Sequence, residues 1–309
     1  MDSTDIRPVT GAAVPVGSRT AADGGEAFVH YLDLTSTLRF FQRYKERSYS
    51  ALDLDAAARV LDAGCGVGTD AFALAERIGP DGVVHGVDVD RHLVDEAVAR
   101  AAAEGWSERA RFHLGDVTDL PFPDGSFTAC RADRVLVHVA EAGTAVRELA
   151  RVCRPGGVVF VSDPDYATVV IDAARPELTD TIVRAYAAGL ASPYVAHRLP
   201  LLFRQAGLRD VTVSADTFVV SDLAVAQQVL ELDLMAERAV RSGAVDRRAA
   251  DGWLEDLGER ASRHEFFAAV TGFGVRGRKP GGPSGTGSRR EGAQPPSTVP
   301  RDPASGGER

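Results

Sequence analysis

Four aspartates, Asp62, Asp88, Asp116 and Asp133, stand at the ends of apolar runs in the first half of this chain, and a turn rich in glycine, Gly64-Cys65-Gly66-Val67-Gly68, follows the first of them. Glycines there remove side chains where a turn would meet a ligand. An acid about twenty residues further on, which Asp88 supplies, is placed to accept hydrogen bonds from ribose hydroxyls. The chemistry this predicts is the holding of a nucleoside-bearing cofactor. The turn departs from the G-x-G-x-x-G spacing of dinucleotide sites, because Thr69 takes the third glycine position and Gly68 falls one residue early. Asp62 and Asp70 flank the turn, and carboxylates at short range repel a dianionic pyrophosphate. A cofactor with a cationic centre and an amino-acid tail suits the turn better.

The elements that must position these residues are legible as alternating patterns. Val60 and Leu61 end a buried strand, and Ala71, Phe72, Leu74, Ala75 and Ile78 follow a helical period that stops at Gly79-Pro80. Strands are expected near 59–63, 83–88, 110–115, 127–132, 157–162, 210–219 and 266–276, with helices between them. That alternation predicts an α/β fold of three layers, a Rossmann-like, seven-stranded, mostly parallel sheet with helices on both faces. Ligands in such sheets bind at the carboxyl ends of the strands, at the topological switch point, and the four aspartates are expected to converge there.

Composition narrows the partners. A chain of 309 residues with 44% hydrophobic content buries a sizeable core. Its net charge of −9, with no basic run longer than Arg247-Arg248 or Arg289-Arg290, argues against a nucleic-acid partner. No segment reaches the ~20 apolar residues of a membrane span, so a cytoplasmic location is expected. Cys65, Cys130 and Cys153 fall in or near buried elements with no spacing for disulfides or zinc, and no metal is expected. Residues 1–25 and 280–309 lack hydrophobic period and are expected to be disordered tails around one domain at 26–279. Within it, the aromatic and basic stretch 28–54 and the long connection 163–202 are expected to form a helical lid.

Taken together the motifs resemble the class I S-adenosylmethionine-dependent methyltransferases, in the small-molecule branch that includes the quinone-methylating enzymes. Val60 to Gly68 resembles the first motif of that family, Gly86-Val87-Asp88 the second, and His113-Leu114-Gly115-Asp116-Val117 the third. Leu120 to Phe127 leads into the fourth strand, and Leu149 to Gly157 precedes the fifth. The resemblance implies S-adenosylmethionine as cofactor, with contacts from Asp62, Gly64, Cys65, Gly66, Gly68, Asp88, Val89, Asp116, Val117 and Asp133. Asp116 is implied to take the adenine amino group. The chain departs from the pattern in two places: Thr128 replaces the usual acid after the phenylalanine, which bears on where the fourth strand starts, and Arg131-Ala132-Asp133-Arg134-Val135 lacks the arginine-asparagine pair of the quinone enzymes, which bears on the acceptor. A quinone acceptor is therefore not favoured.

Methyl transfer from a sulfonium is an in-line displacement with a neutral leaving group, so alignment matters most. A hydroxyl or protonated amine acceptor gains from a general base near pH 7. Of seven histidines, His138 is best placed for that role, after the fourth strand; its other reading is to pack or hold a loop. Tyr31, Tyr166, Tyr194, His197 and Arg198 are candidates for the acceptor, His197 and Arg198 either holding an anionic group or standing solvated at the surface. The expected activity is methyl transfer to an oxygen or nitrogen of a small metabolite by a monomer or homodimer. The alternatives are C-methylation, a non-methylating rearrangement or cyclisation on the same cofactor, and nicotinamide-dependent oxidoreduction.

Overall fold

The computed structural model describes residues 25–281. The expected tails lie outside the described residues, apart from Gly25, Pro280 and Gly281. The first half of the chain runs through α1 (Gly25–Thr37), α2 (Arg39–Ser50), β1 (Arg59–Ala63), α3 (Thr69–Arg77), β2 (Val83–Asp88), α4 (Arg91–Glu104), β3 (Ala110–Leu114), β4 (Phe127–Asp133), α5 (Ala142–Val152) and β5 (Cys153–Pro164). The second half adds β6 (Val170–Ile171), α6 (Pro176–Ala188), α7 (Val195–Gln205), β7 (Arg209–Val220), α8 (Leu223–Leu230), α9 (Leu232–Arg241), α10 (Arg247–Ser262) and β8 (Ala268–Arg278).

Five strands pair in parallel in the order β3-β2-β1-β4-β5. β8 runs antiparallel to β5, and β7 pairs along its other edge. Strand order reverses between β1 and β4, which opens a crevice at their carboxyl ends. β1 and β4 are buried almost throughout, as strands covered on both faces must be. On one face α5 and α7 pack Leu149, Leu199 and Phe203 against Phe127 and Val159. On the other, Leu74 of α3 and Tyr49 and Leu52 meet Val60, Val84 and Phe160. A third apolar cluster joins α2, α6 and α8–α10 to Phe218 and Val220 of β7, and it forms a cap.

Several details differ from expectation. The segment 28–54 holds two helices, because Leu38 is extended (ψ 126°) and breaks the first from the second. An eighth strand, β6, is present because β8 runs past the end of β5 and its edge at Ala268 and Ala269 pairs with Ile171 and Val170. α7 starts inside the expected lid segment 163–202 but packs on the sheet, since Val195, Leu199 and Phe203 all face the core. The helices of 223–262, which lie outside the expected lid segments, supply much of the cap instead.

Candidate functional site

The glycine turn is built by backbone geometry before any side chain matters. Gly64 and Gly66 have φ of +73° and +53°, which most side chains would strain. A Cβ on Gly64 would also come within 2.2 Å of Val135 Cγ2, so the turn lies directly against the segment that follows β4. The amides of Gly64 and Cys65 both donate to the carbonyl of Val87, at 2.7 and 3.0 Å. Asp88 completes the tie: its Oδ2 accepts from the Gly66 amide at 2.8 Å and its Oδ1 from the Asp90 amide at 3.0 Å. Burial raises its pKa above the usual carboxylate range, against those backbone donors. Cys65 and Gly68 stand behind the turn. Cys65 packs against Gly86, burial pushes its thiol pKa well up, and Phe112 fills the space beside Gly68.

Beneath the turn sits a buried ion network that the sequence reading missed. Arg131 of β4, 1% exposed, reaches Asp62 at 2.9 Å, Asp70 at 3.1 Å and Asp133 at 3.2 Å. From α2, Lys45 and Tyr49 reach Asp70 at 2.8 and 2.5 Å, and the Tyr44 hydroxyl donates to Asp133 at 2.5 Å. Asp62 is thus engaged behind the turn. Burial raises its pKa to about 7 against the pull of Arg131, while Arg131 and Lys45 hold Asp70 well below the usual range in spite of its burial. Two charged residues two positions apart in a mostly apolar strand, Arg131 and Asp133, were the available signal.

Above the turn lies a cavity of about 600 Å³. At one end it is lined by Gly64, Gly66, Asp88, Val89, Asp116 and Val117. Asp116 Oδ1 accepts from the amide and hydroxyl of Thr118, both at 2.7 Å, and Val89 is 74% exposed. At the other end the walls are Phe40, Phe41, Tyr166, Tyr186, Phe218, Val229 and Leu230. The rings of Phe40, Phe41 and Phe218 meet at centroid distances of 5.1 to 5.7 Å. Tyr31, Asp133, Arg134, His138 and Asp163 also line it. His138 closes a single 3-10 turn, Leu136–His138, whose amides at Leu136 and Val137 donate to the Asp163 carboxylate at 3.2 Å each. Burial pushes Asp163 up to about 8 against those two donors.

Tyr194, His197 and Arg198 do not line this cavity. His197 Nδ1 lies 2.6 Å from the fully buried Asp165, which also accepts the His197 amide, and Tyr194 stacks on the imidazole. That arrangement anchors the start of α7, and Arg198 is exposed. Among lining residues that the sequence reading left out are Phe218 and two from the cap, Tyr186 and Glu231, the Tyr186 hydroxyl donating to the Glu231 carboxylate. Glu231 has φ +60°, between α8 and α9. Among the described residues no group of three or more His, Cys, Asp or Glu side chains could hold a metal ion. Nor is any helix there long and apolar enough to cross a membrane.

Comparison with known proteins adds to this geometry. A family described as a methyltransferase domain matches residues 60–157, from β1 to the start of β5. An uncharacterized 37.1 kDa protein in transposon TN4556 of Streptomyces fradiae is 37% identical over 251 residues, 79% of this chain and 69% of that protein. Methyltransferase GfsG of Streptomyces halstedii is 30% identical over 220 residues, 71% of this chain and 70% of that one. Among solved structures, phosphoethanolamine N-methyltransferase 2 of Haemonchus contortus with S-adenosyl-L-methionine shares the fold at a TM-score of 0.55 and 17% identity. That match covers 83% of this chain and 57% of that one.

Proposed function

The chain belongs to the class I S-adenosylmethionine-dependent methyltransferases, and we propose that it methylates an oxygen or nitrogen of a small, largely apolar metabolite. The observation that carries the acceptor class is the cavity itself, which continues from the glycine turn into walls of Phe40, Phe41, Phe218, Val229 and Leu230. A concave aromatic wall of that kind takes an apolar body of small-molecule size.

The residues present fit the family's cofactor, which supplies a methyl group on a sulfonium. The positive-φ turn at Gly64 and Gly66 leaves backbone exposed to the cavity. Asp88 would accept from the ribose hydroxyls, because each of its oxygens keeps a lone pair beyond the one its backbone donor uses. Val89 and Val117 would flank the adenine, and Asp116, with one oxygen held by Thr118, would turn the other toward its amino group. Asp62 would act at one remove, by fixing Arg131 under the turn.

His138 would take the proton from an acceptor hydroxyl as the oxygen–methyl bond forms and the sulfonium–methyl bond breaks. Asp163 would hold the turn that carries His138 through the amides of Leu136 and Val137. As base, His138 would act from the lining of the same cavity that the glycine turn and the aromatic walls share.

Incubating the purified chain and a metabolite extract with S-adenosylmethionine carrying an isotopically labelled methyl tests the reading. Mass spectrometry should find the label on an oxygen or nitrogen of a small, largely apolar molecule. Label found only in protein or nucleic acid would overturn it.

A further inference from the structure

We propose that Glu231 selects acceptors carrying a protonated amine on their apolar body. Its carboxylate and the rings of Tyr166 and Tyr186 hold the ammonium; this rests on the small-molecule acceptor reading above. All three residues line the cavity, on the wall to which Val229 and Leu230 also belong. The Tyr186 hydroxyl donates to the Glu231 carboxylate, and the Tyr166 and Tyr186 rings lie 5.4 Å apart at an interplanar angle of 40°. Burial, with Tyr166 and Glu231 beside it, holds the Tyr186 hydroxyl well above its ordinary pKa, so it stays a donor. The backbone singles out Glu231. α8 ends and α9 begins at this residue, whose φ of +60° and ψ of +46° lie in the left-handed region. Glycine takes that conformation at no steric cost, and other residues held there gather at ligand-binding sites, where the side chain is needed in spite of the strain.

Charge decides what the ligand brings. A carboxylate on an apolar wall loses water when a ligand covers it, and a ligand that presents a cation there offsets that cost. Two other carboxylates of the lining are engaged by the protein, Asp216 by Arg47 and Asp163 by the amides of Leu136 and Val137. Among the described residues Arg134 is the single Lys or Arg of the lining, and it stands 3.7 Å from Asp133. Arg238, whose guanidinium lies 4.8 Å from the Tyr186 centroid, is not part of the lining. At Glu231 the cavity therefore offers a carboxylate together with aromatic faces, and both attract an ammonium more strongly than a neutral hydroxyl.

The test is calorimetry on the full chain in the presence of S-adenosylhomocysteine. The chain is titrated at about pH 7 with n-octylamine, which is protonated there as lysine is, and in parallel with 1-octanol, its neutral counterpart. Wild type should bind the amine at least about tenfold more tightly than the alcohol. Glu231→Gln, which keeps the shape of the side chain, should bring the two within about twofold of each other while moving the alcohol by less than about twofold. A wild-type chain that binds the two alike or binds neither, or a Glu231→Gln variant that keeps the preference, would overturn the role of Glu231 and leave the methyl-transfer reading standing. Failure of the acceptor reading shows separately, as label found only in protein or nucleic acid in the labelled-methyl incubation, and would remove both. The wild-type comparison needs no variant to fold.

Discussion

At the glycine-turn end of the cavity, the polar groups sit on strand ends and turns between Gly64 and Asp133. At the aromatic end, the walls come from α2, α6, β7 and α8, which lie far apart in the chain. The first end is held by a buried ion network centred on Arg131, the second by packing among rings and aliphatic side chains. The difference separates two tasks. A cofactor common to a family needs fixed donors and acceptors on a rigid sheet, whereas an acceptor peculiar to one enzyme needs walls that change without disturbing the sheet.

The largest expected effect breaks the first end. Arg131→Met leaves Asp62, Asp70 and Asp133 together under the turn, and loss of one partner from a buried ion cluster costs about 3–5 kcal/mol, read as a fall in urea midpoint. A cap substitution of similar volume change should cost less. Next, His138→Ala should lower turnover at least about a hundredfold with cofactor affinity intact, measured with the acceptor that the labelled-methyl experiment identifies. Equal turnover would return His138 to a packing role. Asp88→Ala should weaken cofactor binding by about 1–3 kcal/mol through lost charge-assisted hydrogen bonds. Leu230→Trp, which fills the aromatic end, should cut kcat/KM for the acceptor about tenfold or more, about 1.4 kcal/mol, with cofactor affinity unchanged.

The smallest effect concerns β2 and β3, outside both ends. His85 Nδ1 and His113 Nε2 lie 3.0 Å apart, and burial together with His113 holds His85 at about 4. The unfolded chain takes up that proton first, at about pH 6.5. Stability should therefore fall as pH drops from about 6.5 toward 4, by on the order of 1 kcal/mol between pH 7.5 and 5. His85→Phe should flatten that decline in urea titrations at the two pH values.

The same contrast explains what could be read from the chain alone. Strands β1 to β5 and the turn were legible because each is a short local pattern, an apolar run closed by an acid or a glycine. So were the positions of Asp88, Asp116 and His138, which depend on strand ends. The cap was not, because α8–α10 bury their apolar faces against α2, α6 and Phe218 and Val220 of β7, and nothing local announces that pairing. Arg131 and Arg134 escaped for a related reason. A charged residue in a strand or just past its end reads as a solvent-facing position until Asp62 and Asp70, or Tyr31 and Phe41, are seen to surround it. Tyr194, His197 and Arg198 show the reverse: a suggestive cluster in a long connection that helps to start a helix instead.

One titration tests the division between the two ends most directly. Calorimetry of S-adenosylhomocysteine with wild type, Asp88→Ala and Leu230→Trp should give one site per chain, a Kd raised about fivefold to a hundredfold in Asp88→Ala, and no change in Leu230→Trp. An unchanged Kd in Asp88→Ala, or one raised as far in Leu230→Trp, would contradict it.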